Sequence, residues 1–209
     1  MNNIVFRKLE KRDYPEIKSL IGESFGINTY VKDPSQLEYV LDIYLQECIL
    51  SSTYSNVATL NGRVIGFILG SVNGEKKIST ISNRIAYLKS MVKIIFSALK
   101  NRSSIGEFSK ITDAYDELIN GMKDKFKGCV QLFIVSKESQ GLGIGKTLLG
   151  ELLDHMKSKD VNQLYLYTDS NCNYGFYDSQ GFTRIRETDI YFHNGSMRLD
   201  VFLYGYKLK

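Results

Sequence analysis

The stretch Gln140-Gly141-Leu142-Gly143-Ile144-Gly145 places three glycines between two apolar segments. Upstream, residues 130–135 form a nearly continuous run rich in β-branched and aromatic side chains, which predicts a buried strand. Downstream, apolar residues recur at helical spacing from Ile144 to Met156, which predicts an amphipathic helix. Glycine lets the backbone approach a ligand, and the first turn of a helix leaves its N–H groups unpaired. The sequence therefore predicts a phosphate or pyrophosphate site at a strand-to-helix turn.

The spacing of the glycines excludes two common phosphate loops. A P-loop requires a glycine five residues before Gly145, where Gln140 stands, although Gly145 is followed by Lys146 and Thr147. A dinucleotide fingerprint read from Gly141 and Gly143 would need a third glycine at Lys146, and no acidic residue closes a following strand in a repeated βαβ unit. Neither a nucleotide triphosphatase nor a dinucleotide-binding enzyme is indicated.

A third pattern, Gln/Arg-x-x-Gly-x-Gly/Ala, is met by Gln140, Gly143 and Gly145. This pattern resembles the pyrophosphate loop of the GNAT acyl-coenzyme A dependent N-acetyltransferases. The resemblance implies that acetyl-coenzyme A is the co-substrate and that the residues holding it are Phe133, Val135, Gln140, Gly141, Leu142, Gly143, Ile144, Gly145, Lys146, Asn171, Asn173 and Phe176.

A second segment in register supports the same resemblance. Residues 163–168 form a plausible strand, and Phe176-Tyr177 followed by Gly181-Phe182 resembles the short helix and strand entry that come next in GNAT proteins. The resemblance implies that Tyr177 is catalytic and returns a proton to the leaving thiolate, a step suited to a phenol of ordinary pKa, about 10. The family often has an asparagine seven residues before this tyrosine. Here that position is Ser170.

No general base is identified from the sequence. The predicted fourth strand offers Gln131 as its polar inward residue, and an amide cannot accept a proton. Asp169 is the nearest acid along the chain, but Asp169 and Ser170 are expected to be N-caps of the helix that carries Tyr177.

The predicted element order is β-α-α-β-β, a long interval, then β-α-β-α-β-β. Asp33-Pro34-Ser35 begins the second helix, and Asn61-Gly62 and Asn194-Gly195 are expected to close two hairpins. This order is similar to that of GNAT proteins. It implies one α/β domain over residues 1–209, with a mixed central sheet of about seven strands flanked by helices.

The interval from residue 75 to residue 128 departs from the family pattern. Two apolar series at helical spacing, from Ile81 to Leu99 and from Phe108 to Phe126, predict an inserted helical hairpin between the third and fourth strands, joined near residues 101–106. The insert has 11 Lys and Arg against six acids, a net charge of +5. It is interpreted as a solvated basic face, with an acceptor-site lid, a dimer interface, an anionic-partner surface and a membrane-lying first helix as alternatives.

The composition of the chain limits the class of protein to which it can belong. The chain has 209 residues, 43% hydrophobic and 24% charged, which is typical of one globular enzyme domain. Cys48, Cys129 and Cys172 are expected to be free thiols, and with two histidines no metal site is predicted. No signal peptide or membrane span is recognised, so a cytoplasmic protein is expected, without nucleic acid or membrane partners and with a possible homodimer.

The function indicated is transfer of an acetyl group from acetyl-coenzyme A to a primary amine by direct attack. The acceptor is expected to be a small amine, an amino acid, an antibiotic, or a protein N-terminus or lysine. Because no base is identified, a non-catalytic acyl-coenzyme A binding module or sensor is the alternative from another class.

Overall fold

The computed structural model describes residues 4–100, 105–192 and 197–208. Within these residues the chain forms seven strands and seven α-helices. In chain order they are β1 (Ile4–Arg7), α1 (Tyr14–Ser24), α2 (Ile27–Tyr30), α3 (Pro34–Ser51), β2 (Tyr54–Leu60), β3 (Arg63–Val72), α4 (Ile81–Lys100), α5 (Ile105–Ile119), β4 (Gly128–Val135), α6 (Ile144–Lys157), β5 (Gln163–Asp169), α7 (Gly175–Ser179), β6 (Thr183–Phe192) and β7 (Met197–Lys207).

The seven strands form one mixed sheet in the order β1-β2-β3-β4-β5-β7-β6. All neighbours are antiparallel except β4 and β5. The first hairpin turns where the sequence predicts, because Asn61 and Gly62 have φ values of 51° and 83° and so supply the two left-handed residues of a type I′ turn. The predicted turn at Asn194-Gly195 lies outside the described residues, although β6 and β7 pair as expected.

The sheet opens between its two parallel strands. In the described structure β4 and β5 are paired at two positions, Gly128 with Leu164 and Cys129 with Tyr165. No further pairs join the described strands beyond these positions, so an opening, which we call the cleft, lies between Val135 at the carboxyl end of β4 and Asp169 at that of β5. The cleft exposes the β5-facing backbone of β4, and the predicted glycine loop begins just beyond it.

A bulge in β4 lies beside the opening of the cleft. The register with β3 shifts so that Gln131 stands between Val130, which is opposite Gly70, and Leu132, which is opposite Leu69. The Gln131 side chain donates a hydrogen bond from Nε2 to Ser71 Oγ at 2.9 Å. Gln131 therefore has a structural partner in the sheet.

Helices cover both faces of the sheet and make two hydrophobic cores. On one face α6 inserts Leu148, Leu149 and Leu152 against β2, β3 and β4. On the other face α1 and α3 pack their buried leucines and isoleucines against alternate residues of β3 and β4. Asp33 begins α3 as predicted, since its Oδ1 accepts from the N–H groups of Ser35 and Gln36.

The inserted helices lie between β3 and β4 as the sequence predicts, but they pack on different parts of the domain. α4 runs along α3, whereas α5 lies against β6 and β7, and the described parts of the two helices make no extensive contact with each other. α5 contributes to a third hydrophobic core, whose buried residues are Leu118, Ile119, Phe126, Phe192, Leu199, Val201 and Leu203. α5 thus packs against the central sheet, whereas α4 packs against α3. The two helices were expected to join near residues 101–106, of which residues 101–104 lie outside the described residues.

Candidate active site

The loop that follows β4 has the backbone of an anion site. Gly141 and Gly143 have φ values of 82° and 78°, and Gly143 is the N-cap of α6. A β-carbon at either glycine would meet no atom within 4 Å, so glycine is favoured there by backbone conformation and not by packing. Among the described residues, none accepts a hydrogen bond from the six consecutive backbone N–H groups of residues 141–146. These donors and the positive end of the α6 dipole are available to a phosphate group.

Aromatic side chains from β4 and α7 meet beside this loop. The ring of Phe133 lies 5.7 Å from that of Phe176 and 6.5 Å from that of Tyr177, measured between centroids. Gly145 faces the same group, since a β-carbon there would lie 3.4 Å from Phe176 and 3.6 Å from Phe133. The structure therefore brings Phe133, Gly145, Phe176 and Tyr177 together beside the glycine loop.

Tyr177 is held in an aromatic shell, and its hydroxyl makes no hydrogen bond with the described residues. Its ring contacts Phe176, Phe182 and Tyr204 at centroid distances of 5.6, 5.7 and 6.1 Å. Burial, followed by the charges of Cys172 and Asp169, raises the pKa of Tyr177 above its ordinary value. The phenol remains protonated at neutral pH, and the assumption of an ordinary phenol pKa is wrong.

Asp169 occupies the other side of the cleft, at the carboxyl end of β5. Burial raises the pKa of its carboxyl group, although hydrogen bonds from the backbone of Asn171 and from Cys172 oppose this effect. A carboxylate with a raised pKa is a stronger base than an ordinary aspartate. Asp169 thus has a property that a general base requires.

The expectation that Asp169 and Ser170 are N-caps of the short helix carrying Tyr177 is wrong. That helix begins after Tyr174, which makes no side-chain capping bond. Asp169 instead accepts from the N–H of Asn171 at 2.8 Å, and Ser170 Oγ accepts from the N–H of Asp200 at 3.3 Å. Both residues stabilise the turn that leaves β5, so the Asp169 carboxylate stays at the cleft.

Three tyrosines near Asp169 were not recognised in the sequence. Burial raises the pKa of Tyr44 on α3 and of Tyr115 on α5, and the charge of Asp169 adds to both shifts. Tyr115 stacks on Tyr167 of β5 with ring centroids 4.1 Å apart, and the Tyr167 hydroxyl donates to the Tyr115 carbonyl at 2.9 Å. In the sequence, only the alternation of Tyr165 and Tyr167 in β5 indicated that tyrosines line one side of this strand near Asp169. Tyr44 and Tyr115 come from distant segments that the tertiary fold brings to the cleft.

The other predicted contact residues have different surroundings. Ile144 is buried in the core, so its backbone N–H is the group that remains for a ligand. Gln140, Leu142 and Lys146 are exposed around the loop, while Val135 is half-buried at the end of β4. Asn171 and Asn173 are exposed in the turn between β5 and α7.

The cysteines are free, and the thiols are shielded. Burial, followed by the neighbouring carboxylate of Asp169, raises the pKa of Cys172 to about 12. Burial likewise raises the pKa of Cys48 and of Cys129 to about 12. A thiol of such high pKa is a poor nucleophile at neutral pH. Within the described ranges, no group of histidine, cysteine and acidic residues could hold a metal ion.

A cavity of about 320 Å³ opens at the loop end of β4. Its wall is formed by the end of α1, by α2, and by Ser136 and Lys137. It lies on the α1 and α2 side of the sheet and provides space next to the start of the glycine loop.

No helix in the described part of the chain is long and apolar enough to cross a bilayer.

Two comparisons of this sequence with known proteins gave one match to a family model and no match to a curated sequence. The model of the acetyltransferase (GNAT) family matches residues 105–182, which include β4, the glycine loop, α6, β5 and α7. No curated protein sequence is significantly similar to this chain.

Solved structures of acetyltransferases share the fold over nearly the whole chain. The ribosomal-protein-S18-alanine N-acetyltransferase of Escherichia coli is 13% identical, with a TM-score of 0.55 over 99% of this chain and 95% of that one. An N-acetyltransferase of Staphylococcus aureus Mu50 is 17% identical, with a TM-score of 0.57 over 99% of both chains. An agmatine N-acetyltransferase variant in its apo form is 13% identical, with a TM-score of 0.61 over 99% of this chain and 100% of that one. This chain therefore has the fold of the GNAT acetyltransferases, and its residues 105–182 match the model of that family.

Proposed function

We propose that this protein transfers the acetyl group of acetyl-coenzyme A directly to a primary amine. The observation that carries the proposal is the loop of residues 141–146, where six consecutive N–H groups donate no hydrogen bond to the described residues, at the start of α6 beside an open cleft. A pyrophosphate bears several acceptor oxygens and negative charge, and this backbone offers matching donors.

The rest of the coenzyme fits the cleft by the same chemistry. The backbone of β4 beyond Cys129 has no strand partner on its β5 side in the described structure, so its polar groups can pair with the amides of the pantetheine arm. Phe133 and Phe176 supply an apolar wall for the arm, and Gly145 leaves the path between the loop and this wall open. The arm would then place its thioester between Tyr177 and Asp169.

The proposed base is Asp169. An alkyl ammonium of pKa about 10.4 is only about one part in 2500 free amine at pH 7, which adds roughly 4.6 kcal/mol to the barrier. The Asp169 carboxylate can take the proton from the ammonium, after which the amine nitrogen attacks the thioester carbonyl carbon. Tyr44 and Tyr115 lie near Asp169, Tyr115 stacks on Tyr167, and aromatic rings beside the carboxylate would favour a cationic amine.

The proposed acid is Tyr177. When the carbon–sulfur bond breaks, the sulfur leaves as a thiolate that needs a proton. A buried thiolate is more basic than one in water, as the pKa of about 12 for the neighbouring Cys172 thiol indicates. The raised pKa of Tyr177 is therefore compatible with proton donation, because the same burial raises the pKa of donor and acceptor together.

The solved acetyltransferase structures that share this fold also support a primary amine as the acceptor. Two of them are named for N-acetylation of an alanine of ribosomal protein S18 and of agmatine, acceptors that differ greatly in size. The common chemistry is the amine, and the acceptor of this protein is expected to be selected by α3, α5 and the α1–α2 cavity.

The pyrophosphate site is tested with two glycine-to-alanine variants that introduce the same backbone strain. Gly143→Ala and Gly74→Ala both place a side chain at positive φ in open space, with φ values of 78° and 86°. Gly74 follows the end of β3 that pairs with Gly128, so it lies at the opposite end of the sheet from the loop. Calorimetry should show at least about tenfold weaker acetyl-coenzyme A binding for Gly143→Ala and unchanged binding for Gly74→Ala.

Turnover is then measured with a pooled panel of primary amines. Release of free coenzyme A that depends on an amine supports the transfer reaction and names the acceptor class. Equal binding by the two variants would contradict the pyrophosphate site. Tight binding without turnover on any amine would instead identify an acyl-coenzyme A binding module.

A further inference from the structure

The first inserted helix, α4, presents a row of large apolar side chains to solvent. Ile81 is 79% exposed, Leu88 is 61% exposed and Phe96 is 65% exposed. The complete row, which we call the α4 stripe, consists of Ile81, Ile85, Leu88, Val92, Ile95 and Phe96. Steps of four and three residues place all six on one side of the helix. In the described structure, no side chain covers this row.

The opposite side of α4 faces α3 and carries two buried polar residues. Asn83 and Ser90 are buried. The Asn83 amide donates to Gln46 Oε1 and to the Tyr14 hydroxyl, both at 2.9 Å. Ser90 Oγ donates to Asp42 Oδ2 at 2.7 Å. These hydrogen bonds fix the rotation of the helix, so the α4 stripe points away from the core and not toward it.

The charges on α4 are all of one sign. The helix contains Arg84, Lys89, Lys93 and Lys100 and no aspartate or glutamate. Arg84, Lys89 and Lys93 are exposed. At 100° per residue, Arg84 borders one edge of the stripe, while Lys89 and Lys93 border the other. Lys93 also lies over the ring of Tyr39, with its Nζ 4.9 Å from the centroid.

An apolar stripe with basic borders favours a lipid surface over a second copy of the chain as the binding partner. Two α4 helices packed stripe to stripe would bring basic borders together, which opposes association. A protein groove would have to match a convex ridge about 22 Å long, the length that the helical rise gives from Ile81 to Phe96. A lipid surface needs no preformed groove, and its acidic head groups complement the basic borders.

We propose that the α4 stripe docks on the surface of an anionic phospholipid bilayer. The helix lies parallel to the membrane plane, with its apolar side chains between the head groups and the upper acyl chains. Arg84 and Lys89 extend toward the phosphates and keep their charges at the interface. The surface is separate from the glycine loop, so this binding is independent of acetyl-coenzyme A binding.

The test is co-sedimentation of the full-length protein with two kinds of vesicle, pure phosphatidylcholine and phosphatidylcholine mixed with phosphatidylglycerol. The wild type should bind the mixed vesicles and bind the neutral vesicles much more weakly. Leu88→Gln should weaken binding by about tenfold, since one large apolar group no longer enters the interface. Lys89→Gln should weaken it by about fivefold at low salt and by less at high salt.

The matched control is Val5→Gln, which changes another exposed apolar residue, on strand β1, with an exposed fraction of 44%. Val5→Gln should bind the mixed vesicles as the wild type does. All variants should keep their circular dichroism spectrum and their affinity for acetyl-coenzyme A, which separates this test from that of the proposed function.

Three outcomes would overturn the proposal. The first is absence of binding to both kinds of vesicle, and the second is equal binding by Leu88→Gln and the wild type. The third is a dimer in sedimentation equilibrium that becomes a monomer in Leu88→Gln, which would assign the α4 stripe to a second copy of the chain.

Discussion

At the scale of single residues, Asp169 and Tyr177 lie on opposite sides of the cleft. Burial shifts the pKa of both groups upward, which strengthens one as a base and keeps the other protonated. For the aspartate, a raised pKa strengthens the base that accepts a proton. For the tyrosine, it keeps the phenol protonated until a basic thiolate appears. One environment thus prepares an acid and a base on the two sides of the proposed thioester position.

The role of Tyr177 is tested by Tyr177→Phe, which removes only the hydroxyl. We expect kcat to fall by about 10² to 10⁴, the usual contribution of a general acid, with acetyl-coenzyme A affinity within a few fold of the wild type. Tyr174→Phe is the control, because Tyr174 immediately precedes the same helix and packs on Phe202 and Arg184. Equal kcat values for the two variants in single-turnover experiments would assign Tyr177 to packing alone.

The role of Asp169 is tested by Asp169→Asn, which keeps an oxygen that can accept from the Asn171 N–H. We expect kcat/KM at neutral pH to fall by about 10² or more. In the wild type, kcat/KM should decline as pH falls through a pKa above the ordinary aspartate value of about 3.9, because the base becomes protonated. The groups around it are Tyr44, Tyr115, Tyr177 and Cys172, and none of them gains a positive charge in this range. A variant with wild-type rate and pH profile would exclude Asp169 as the base.

At the scale of elements, the two inserted helices have opposite relations to the domain. Leu118 of α5 is 3% exposed inside the third core, whereas Leu88 of α4 is 61% exposed. An element that buries its apolar side chains adds to folding stability, and one that exposes them does not. Removal of residues 78–126 as a unit would therefore uncover the β6 and β7 face along with removing the α4 stripe.

Leu118→Ala and Leu88→Ala make the same chemical change in these two settings. We expect Leu118→Ala to lower the free energy of unfolding by about 2–5 kcal/mol, the range for a leucine truncated in a core. Leu88→Ala should stay within about 0.5 kcal/mol of the wild type. Urea denaturation of both variants measures the difference. Similar losses would mean that α4 is packed as tightly as α5.

At the scale of the whole molecule, the buried carboxylate of Asp13 and the half-buried carboxylate of Asp169 make stability depend on pH in opposite directions. Burial alone would raise the pKa of Asp13, but hydrogen bonds from Arg7 and from the backbone of Glu10 lower it overall. Both Asp13 oxygens accept from the Arg7 guanidinium at 2.7 Å, joining the end of β1 to the start of α1. The carboxyl of Asp169, in contrast, has a raised pKa.

Asp13→Asn should reduce stability by about 1.5–3 kcal/mol at pH 7, the range for hydrogen bonds to a charged group. Because the folded pKa of Asp13 is below its unfolded value, this stabilisation is present above about pH 4 and is lost as pH falls through the folded pKa. Asp169→Asn should instead raise the melting temperature at pH 7. The folded pKa of Asp169 is above its unfolded value, so its penalty develops as pH rises from about 4 and is absent in acid. Thermal denaturation at pH 3 and pH 7 checks both signs, and parallel shifts at both pH values would contradict them.

The sequence by itself determined the features that depend on neighbours along the chain. Gly141 and Gly143 adopt positive φ, Asn61 and Gly62 close a hairpin, and Asp33 caps α3, because backbone conformation and capping act over a few residues. The element order predicted the sheet, since each periodic segment formed a strand or helix and GNAT proteins share that order.

Only the tertiary structure decided what surrounds Asp169 and which way α4 faces. Tyr44, Tyr115 and Asp169 lie far apart in the chain and meet because β4 and β5 separate after two paired positions. Periodicity located the apolar side of α4 but not its surroundings, because hydrophobic attraction has no direction and does not specify a partner. The buried hydrogen bonds of Asn83 and Ser90 are directional, and they turned that side toward solvent.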